Sequence, residues 1–248
     1  MPLLVLSASL ATRRWGARIG GLLTGLPIVS GPALFFFAVE QGAAFTAEAS
    51  RAVLVSLVGV AAAVVAYAWA ALRTPWWISL PVSWTAFFSS VLLVQRVAWT
   101  TVLALAVALA SIALGQLVLP RSGARATRPR PAWDLPVRAL ASMLLVLSVT
   151  GLAQRLGPTL SGALTPFPAA ISILLGFSHA QEGSAAAISF LRGFLPGMWA
   201  FAAFCFVLSV TIVVLGTATG FALAIAAALL IQGAVLWGLQ RRVATSAT

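Results

Sequence analysis

The chain has no lysine, one cysteine, one histidine and four acidic residues in 248 positions, and each scarcity removes a class of function. Without lysine there is no phosphate-cradling Gly-rich loop of the P-loop type, so primary active transport by this chain alone is excluded. One histidine and one cysteine do not make a zinc site, and no cluster of His, Cys, Asp or Glu has metal-ligand spacing. Cys205 has no second cysteine to pair with, which excludes an internal disulfide. It reads as a small apolar residue inside a span. No two carboxylates share a helix face, so general acid-base catalysis has no visible pair, and the chain is not expected to be an enzyme. Neither a metal nor a cofactor is expected.

Charge is scarce altogether. Only 8% of residues are charged while 61% are hydrophobic, and the mean hydropathy is +1.06. Soluble domains carry roughly 25% charged residues. Apolar runs near the length needed to cross a bilayer recur along the whole chain, which reads as an all-α, polytopic helical membrane protein. The net charge of +11 comes from 15 arginines. They sit mainly in short loops between apolar spans, so they report topology and not nucleic-acid binding.

The pattern predicts nine spans, at about 2–13, 17–39, 49–72, 76–95, 97–119, 136–154, 158–180, 186–212 and 216–240. The first is short for ~30 Å of hydrocarbon at 1.5 Å per residue. Either the chain begins further upstream or this helix crosses only partly. It makes a poor signal peptide, because Arg13 and Arg14 follow the apolar stretch and no basic residue precedes it.

The chain also repeats itself at an offset of 141 residues. Leu3-Leu4-Val5-Leu6-Ser7 returns as Leu144-Leu145-Val146-Leu147-Ser148. The match continues without a gap through Arg14/Arg155, Gly16/Gly157, Gly21/Gly162, Thr24/Thr165, Pro27/Pro168, Gly42/Gly183, Arg51/Arg192 and Leu54/Leu195. Aligned Arg, Thr, Pro and Gly in one register are beyond what Leu/Ala bias supplies. With five spans in the first half and four in the second, the copies must have inverted topology, as in many secondary transporters. The predicted organisation is residues 1–119 as the first repeat plus an extra linking span, 120–135 as a cytoplasmic linker, and 136–248 as the second, inverted repeat. Placing the Arg-rich 120–138 loop inside puts twelve of the 15 arginines on the cytoplasmic side, leaving Arg51, Arg96 and Arg155 outside. The amino terminus is then outside and the carboxyl terminus in the cytoplasm. The all-Arg, Ala-rich composition suggests a high-GC genome and the inner membrane of a bacterium.

The candidate site comes from interruptions in the second and seventh spans. Thr24, Pro27, Ser30, Gly31 and Pro32 lie near the middle of one, and Thr165, Pro166, Pro168 and Ser172 in the other. Proline removes a backbone donor and glycine frees the chain, so broken helices there expose backbone groups able to hold a solute. The alternative is a pair of tolerated kinks with glycines for close packing. Duplication at matching depth favours the functional break. Glu40, Glu182 and His179 are candidates for an ion relay, and Arg51 and Arg192 for gates. Snorkelling or pairing at the interface fits Glu40, Glu182 and His179 better, since none sits clearly in the hydrocarbon centre, while Arg192 is placed to be drawn into the membrane beside Pro196-Gly197. Glu48 and Arg51 are spaced for an i,i+3 pair. Trp69, Trp84 and Trp199 lie deeper than the interfacial tryptophans, where they could line a pathway, but core packing is the favoured reading.

Pro166-Phe167-Pro168, then Glu182-Gly183, then Met198-Trp199 resemble the GlpM type of small four-helix bacterial membrane protein. The likeness covers most of 143–237 and, more weakly, 2–95. It implies one such module per half and says nothing about substrate. The first half departs from it, with Leu57-Val58 in place of the Met-Trp pair. The expected function is a transporter or permease for a small molecule or ion, with the lipid bilayer as its surroundings, no nucleic-acid partner, and a homo-oligomeric state left open. Its rivals are a channel, a lipid scramblase and a structural membrane subunit.

Overall fold

The computed structural model describes residues 2–27, 30–121, 136–137, 140–141, 143–144 and 169–245. Among them all regular structure is helical. The first half holds α1 (Pro2–Trp15), α2 (Ala17–Thr24), α3 (Ser30–Glu40), α4 (Ala43–Ala70), α5 (Trp76–Val94) and α6 (Thr101–Val118). The second holds α7 (Ala169–Glu182), α8 (Ser184–Leu215) and α9 (Thr217–Thr245). Five stretches of the described residues are long and apolar enough to cross a membrane: α4, α5, α6, α8 and Thr217–Gly238 of α9. These helices are consistent with a membrane protein. Most of the predicted sixth span and the first part of the seventh lie outside the described residues.

Helices prevail because hydrocarbon offers no partner to a free N–H or C=O, and a helix satisfies both within itself. Hydroxyls inside α4 obey the same constraint. Thr46, Ser50 and Ser56 each donate to the carbonyl four residues back, at 2.9, 2.7 and 2.9 Å. The helices stop where glycine permits a conformation closed to other residues. Gly42 stands between α3 and α4 at φ 87°, ψ 173°, and Gly183 between α7 and α8 at φ 85°, ψ 176°. Gly216 before α9 has φ 80°. Pro75 ends the turn before α5 at φ −66°. These starts keep the sequence offset: Ser184 stands 141 residues after Ala43, and Thr217 stands 141 after Trp76.

Contacts fix the helix directions. Trp69 Nε1 donates to Val118 O at 3.1 Å, so α4 and α6 are parallel. Ser83 Oγ donates to Ala63 O at 3.0 Å, within the antiparallel α4–α5 pair. Arg192, near the start of α8, reaches Leu119 and Pro120 at the end of α6. Hence α4 and α8, which pack against each other, run antiparallel. Their buried side chains form the centre of the core, with Leu54, Leu57 and Tyr67 from α4 and Phe190, Leu191, Leu195 and Met198 from α8. One end of the bundle therefore carries Arg73, Arg121, Glu182 and Arg192, and the other Glu40, Arg51 and Arg96.

A Cβ at Gly42 or Gly183 would meet nothing within 4 Å, so only backbone conformation forbids one. Gly42→Ala and Gly183→Ala are each expected to lower stability by about 1–3 kcal/mol, the cost of a near-mirror-image extended backbone for a residue with a Cβ. Unfolding in detergent micelles measures this, and wild-type stability in both variants would refute the conformational account.

Candidate functional site

Glycines bring α2 and α8 into backbone contact. Gly21 and Gly25 lie four residues apart on α2, and Gly193 and Gly197 four apart on α8. A Cβ on Gly193 would collide with Arg18 O, one on Gly197 with Leu22 O, and one on Gly21 with Phe190 O. One on Gly25 would fall 2.7 Å from Phe194 O. Each glycine thus turns a Cα–H toward a carbonyl of the facing helix, a weak hydrogen bond contributing roughly 0.5–1 kcal/mol. Small residues allow this approach, and van der Waals contact takes the place of the hydrophobic force that lipid withholds. The order of contacts, Arg18 with Gly193 and Leu22 with Gly197, makes α2 and α8 parallel.

Just past this seam α2 breaks. Gly25 N still bonds Gly21 O at 3.1 Å, but Leu26 N bonds Leu23 O at 3.3 Å, one residue short of Leu22. The Leu22 carbonyl is released from the ladder. Gln232 on α9 fills the gap, with Nε2 donating to Leu22 O at 3.3 Å. α3 then resumes alongside α8, where Gly31 faces Phe204 and Phe35 meets Phe221 of α9 edge to face at 5.4 Å.

Of the predicted residues, Thr24 is half-buried and its Oγ1 donates to Gly20 O at 2.6 Å. Pro27 is half-buried outside both helices, Ser30 is buried as the first residue of α3, Gly31 is partly buried, and Pro32 is exposed. Thr165, Pro166 and Pro168 lie outside the described residues. Ser172 is buried on α7, where Trp84 Nε1 of α5 donates to its Oγ at 2.9 Å. The described contacts of the first break are to α8 and α9.

The charged candidates sit at the two ends. Glu40 is exposed. Arg51 pairs with Glu48 in the i,i+3 register. His179 Nδ1 lies 3.1 Å from the Tyr67 hydroxyl, linking α7 to α4. Glu182 closes α7. Arg192 donates from Nη1 to Leu119 O at 3.2 Å and to Pro120 O at 2.8 Å. These are carbonyls at the carboxyl end of α6, where a cation is favoured. Sequence reasoning missed Gln232. Its signal was an amide in the apolar run of α9, but the chain gives no hint that its partner stands 210 residues earlier. Trp69, read as core, is 47% exposed and uses its indole N–H to hold Val118.

Comparisons of the chain with protein families, with curated proteins and with solved structures each gave no match.

The seam yields a sharp contrast between glycines. Gly193→Ala must force α2 and α8 apart and is expected to cost about 3 kcal/mol. Gly233→Ala, in helix with open space around its Cβ position, should change stability by no more than about 1 kcal/mol. Thermal unfolding in mild detergent compares them, and equal effects would contradict backbone contact at Gly193.

Proposed function

We propose that this chain is a bacterial inner-membrane permease for a small solute, built from two inverted halves, with its site where paired helices break near the bilayer midplane. The observation that carries the reading is the exchange relation between the halves. Helices α4 and α8 begin at positions 141 apart, pack together, and run antiparallel. The same exchange maps α5 onto α9 and α3 onto α7. The α5–α7 contact through Trp84 and Ser172 then has its counterpart in the α3–α9 contact through Phe35 and Phe221. Antiparallel equivalents are what a two-fold axis across the helices produces, and such an axis lies in the membrane plane. The break at Gly25–Pro27 supplies the irregular backbone that such carriers place at a solute site. Glycine-lined backbone contact beside a released carbonyl favours a transporter over a purely structural subunit.

In this reading Thr24, Pro27, Ser30, Gly31 and Pro32 line one half of the site, and Thr165, Pro166, Pro168 and Ser172 the other. The carboxyl end of α6 and the 120–135 linker are cytoplasmic, the amino terminus is outside, and the Arg-rich end of the bundle faces the cytoplasm. The GlpM-like module then describes each half.

Cysteine labelling in a Cys205→Ala background tests this in two steps. An impermeant thiol reagent applied to intact cells should modify Thr217→Cys and spare Ser122→Cys; the reverse pattern overturns the orientation. In reconstituted protein a hydrophilic methanethiosulfonate should modify Ser30→Cys at least tenfold faster than Leu114→Cys, an exposed position on α6 that faces lipid in this reading. If Ser30→Cys reacts no faster, water does not reach the break and the permease reading fails.

A further inference from the structure

A carboxamide inside an apolar span is costly unless both of its ends are bonded. Gln232 is 5% exposed, and only one end is bonded within the protein. A carbonyl oxygen only accepts, so the amide must turn its nitrogen to Leu22 O, which fixes the other end as Oε1. That oxygen is buried and has no hydrogen-bond partner, so a solute reaches it only when the chain around the break moves aside. Sharing a carbon with Nε2, it sits beside the broken end of α2.

We propose that Gln232 is a solute-binding residue whose Oε1 accepts a hydrogen bond from a small uncharged solute bearing O–H or N–H groups. The proposal rests on the permease reading and supplies its substrate class. Charge decides the class. The chain has four acidic residues, and none lies on α2, α8 or α9. Among the described residues Glu48 is taken by Arg51, while Glu40 and Glu182 stand at helix ends; the fourth, Asp134, lies outside the described residues. A cation beside Gln232 would therefore lose its hydration without a counter-ion among the described residues, and an anion would face the amide oxygen and the Leu22 carbonyl. The carboxyl end of α2 and the amino end of α3 meet at the break, so their dipoles offset and favour neither sign. A neutral donor meets none of these penalties. Gln232 accepts from it on one side while holding Leu22 on the other, which ties occupancy of the site to the end of α2.

The test has two arms. In a Cys205→Ala background, Gln232→Cys in proteoliposomes should react with a hydrophilic methanethiosulfonate at least tenfold faster than Leu229→Cys, an exposed position on α9. In the second arm, stopped-flow light scattering follows urea and glycerol entry, and tracer uptake follows rubidium. Urea or glycerol should enter at least tenfold faster than into protein-free vesicles, and rubidium should not. Gln232→Met, near in size but without the acceptor, should remove that flux. Gln232→Glu, which keeps an acceptor oxygen, should retain part of it, provided both variants elute as folded protein. The proposal is overturned if Gln232→Met carries wild-type flux, if rubidium passes through Gln232, if neither neutral solute is carried, or if Gln232→Cys is inert. Inert Gln232→Cys with reactive Ser30→Cys means that Oε1 holds at most a trapped water and leaves the permease reading standing. Inertness at both positions removes both.

Discussion

Backbone contact between α2 and α8 is the constraint on which the rest of the molecule is arranged. Lipid tails are as apolar as leucine, so helices in a bilayer gain little from hiding apolar side chains against one another. They associate through close packing and through polar contacts that lipid does not provide. Gly21 and Gly25 against Gly193 and Gly197 supply the first, since no Cβ separates the chains. The second follows from how the seam ends. α2 stays on α8 as far as Gly25 and then loses its helical ladder, which frees Leu22 O. A freed carbonyl at that depth must be bonded, and Gln232 of α9 reaches it. A segment of eight residues thereby ties the two long helices of the second half to the first.

The two arginines at equivalent repeat positions show how local sequence redirects one side chain. Arg51 has Glu48 three residues before it and pairs along its own helix. Arg192 has Ser189 at the matching position, so no partner of opposite charge lies within reach on α8. It turns instead to the carbonyls of Leu119 and Pro120, which α6 leaves unbonded at its carboxyl end. In the proposed repeat, α6 is the span without a counterpart. Its end gives Arg192 a role that Arg51 has no means to take. Trp69 fastens the same end of α6 from α4, so this unpaired span is held at one end by both central helices.

Much of this was legible in the chain because glycine and proline act locally. Gly42, Gly183 and Gly216 stop helices through their own φ, and the break after Thr24 coincides with Gly25 and Pro27. The positions of the five long apolar helices followed from hydropathy, and the Glu48–Arg51 pair from helical spacing alone. Partnerships between distant elements were not legible. Gly21/Gly25 and Gly193/Gly197 are short small-residue pairs of a kind common in apolar helices, and nothing in either segment names the other. Trp84 with Ser172 and Tyr67 with His179 join residues 88 and 112 positions apart, and depend on how whole helices cross. Trp69 was misread as core because depth along a span says nothing about which face of the helix meets lipid. The second half of the candidate site, Thr165 to Pro168, lies outside the described residues, so its geometry adds nothing to the sequence reading.

If the permease reading holds, the seam also limits where motion takes place. α2 and α8 interlock through backbone, and sliding one along the other would drive carbonyls into Cα atoms, so the pair moves as one body. The α4–α8 face is different. Its buried side chains, Leu54, Leu57, Leu191, Leu195 and Met198 among them, have rotamers to exchange. Motion of α4 relative to the joined α2 and α8 belongs at that face. Arg192 and the Tyr67–His179 bond span the same junction at the Arg-rich end. They resist separation there, while the only described ion pair at the far end, Glu48 with Arg51, lies within one helix. That junction is therefore stitched at one end and less so at the other, an asymmetry that favours opening away from Arg192.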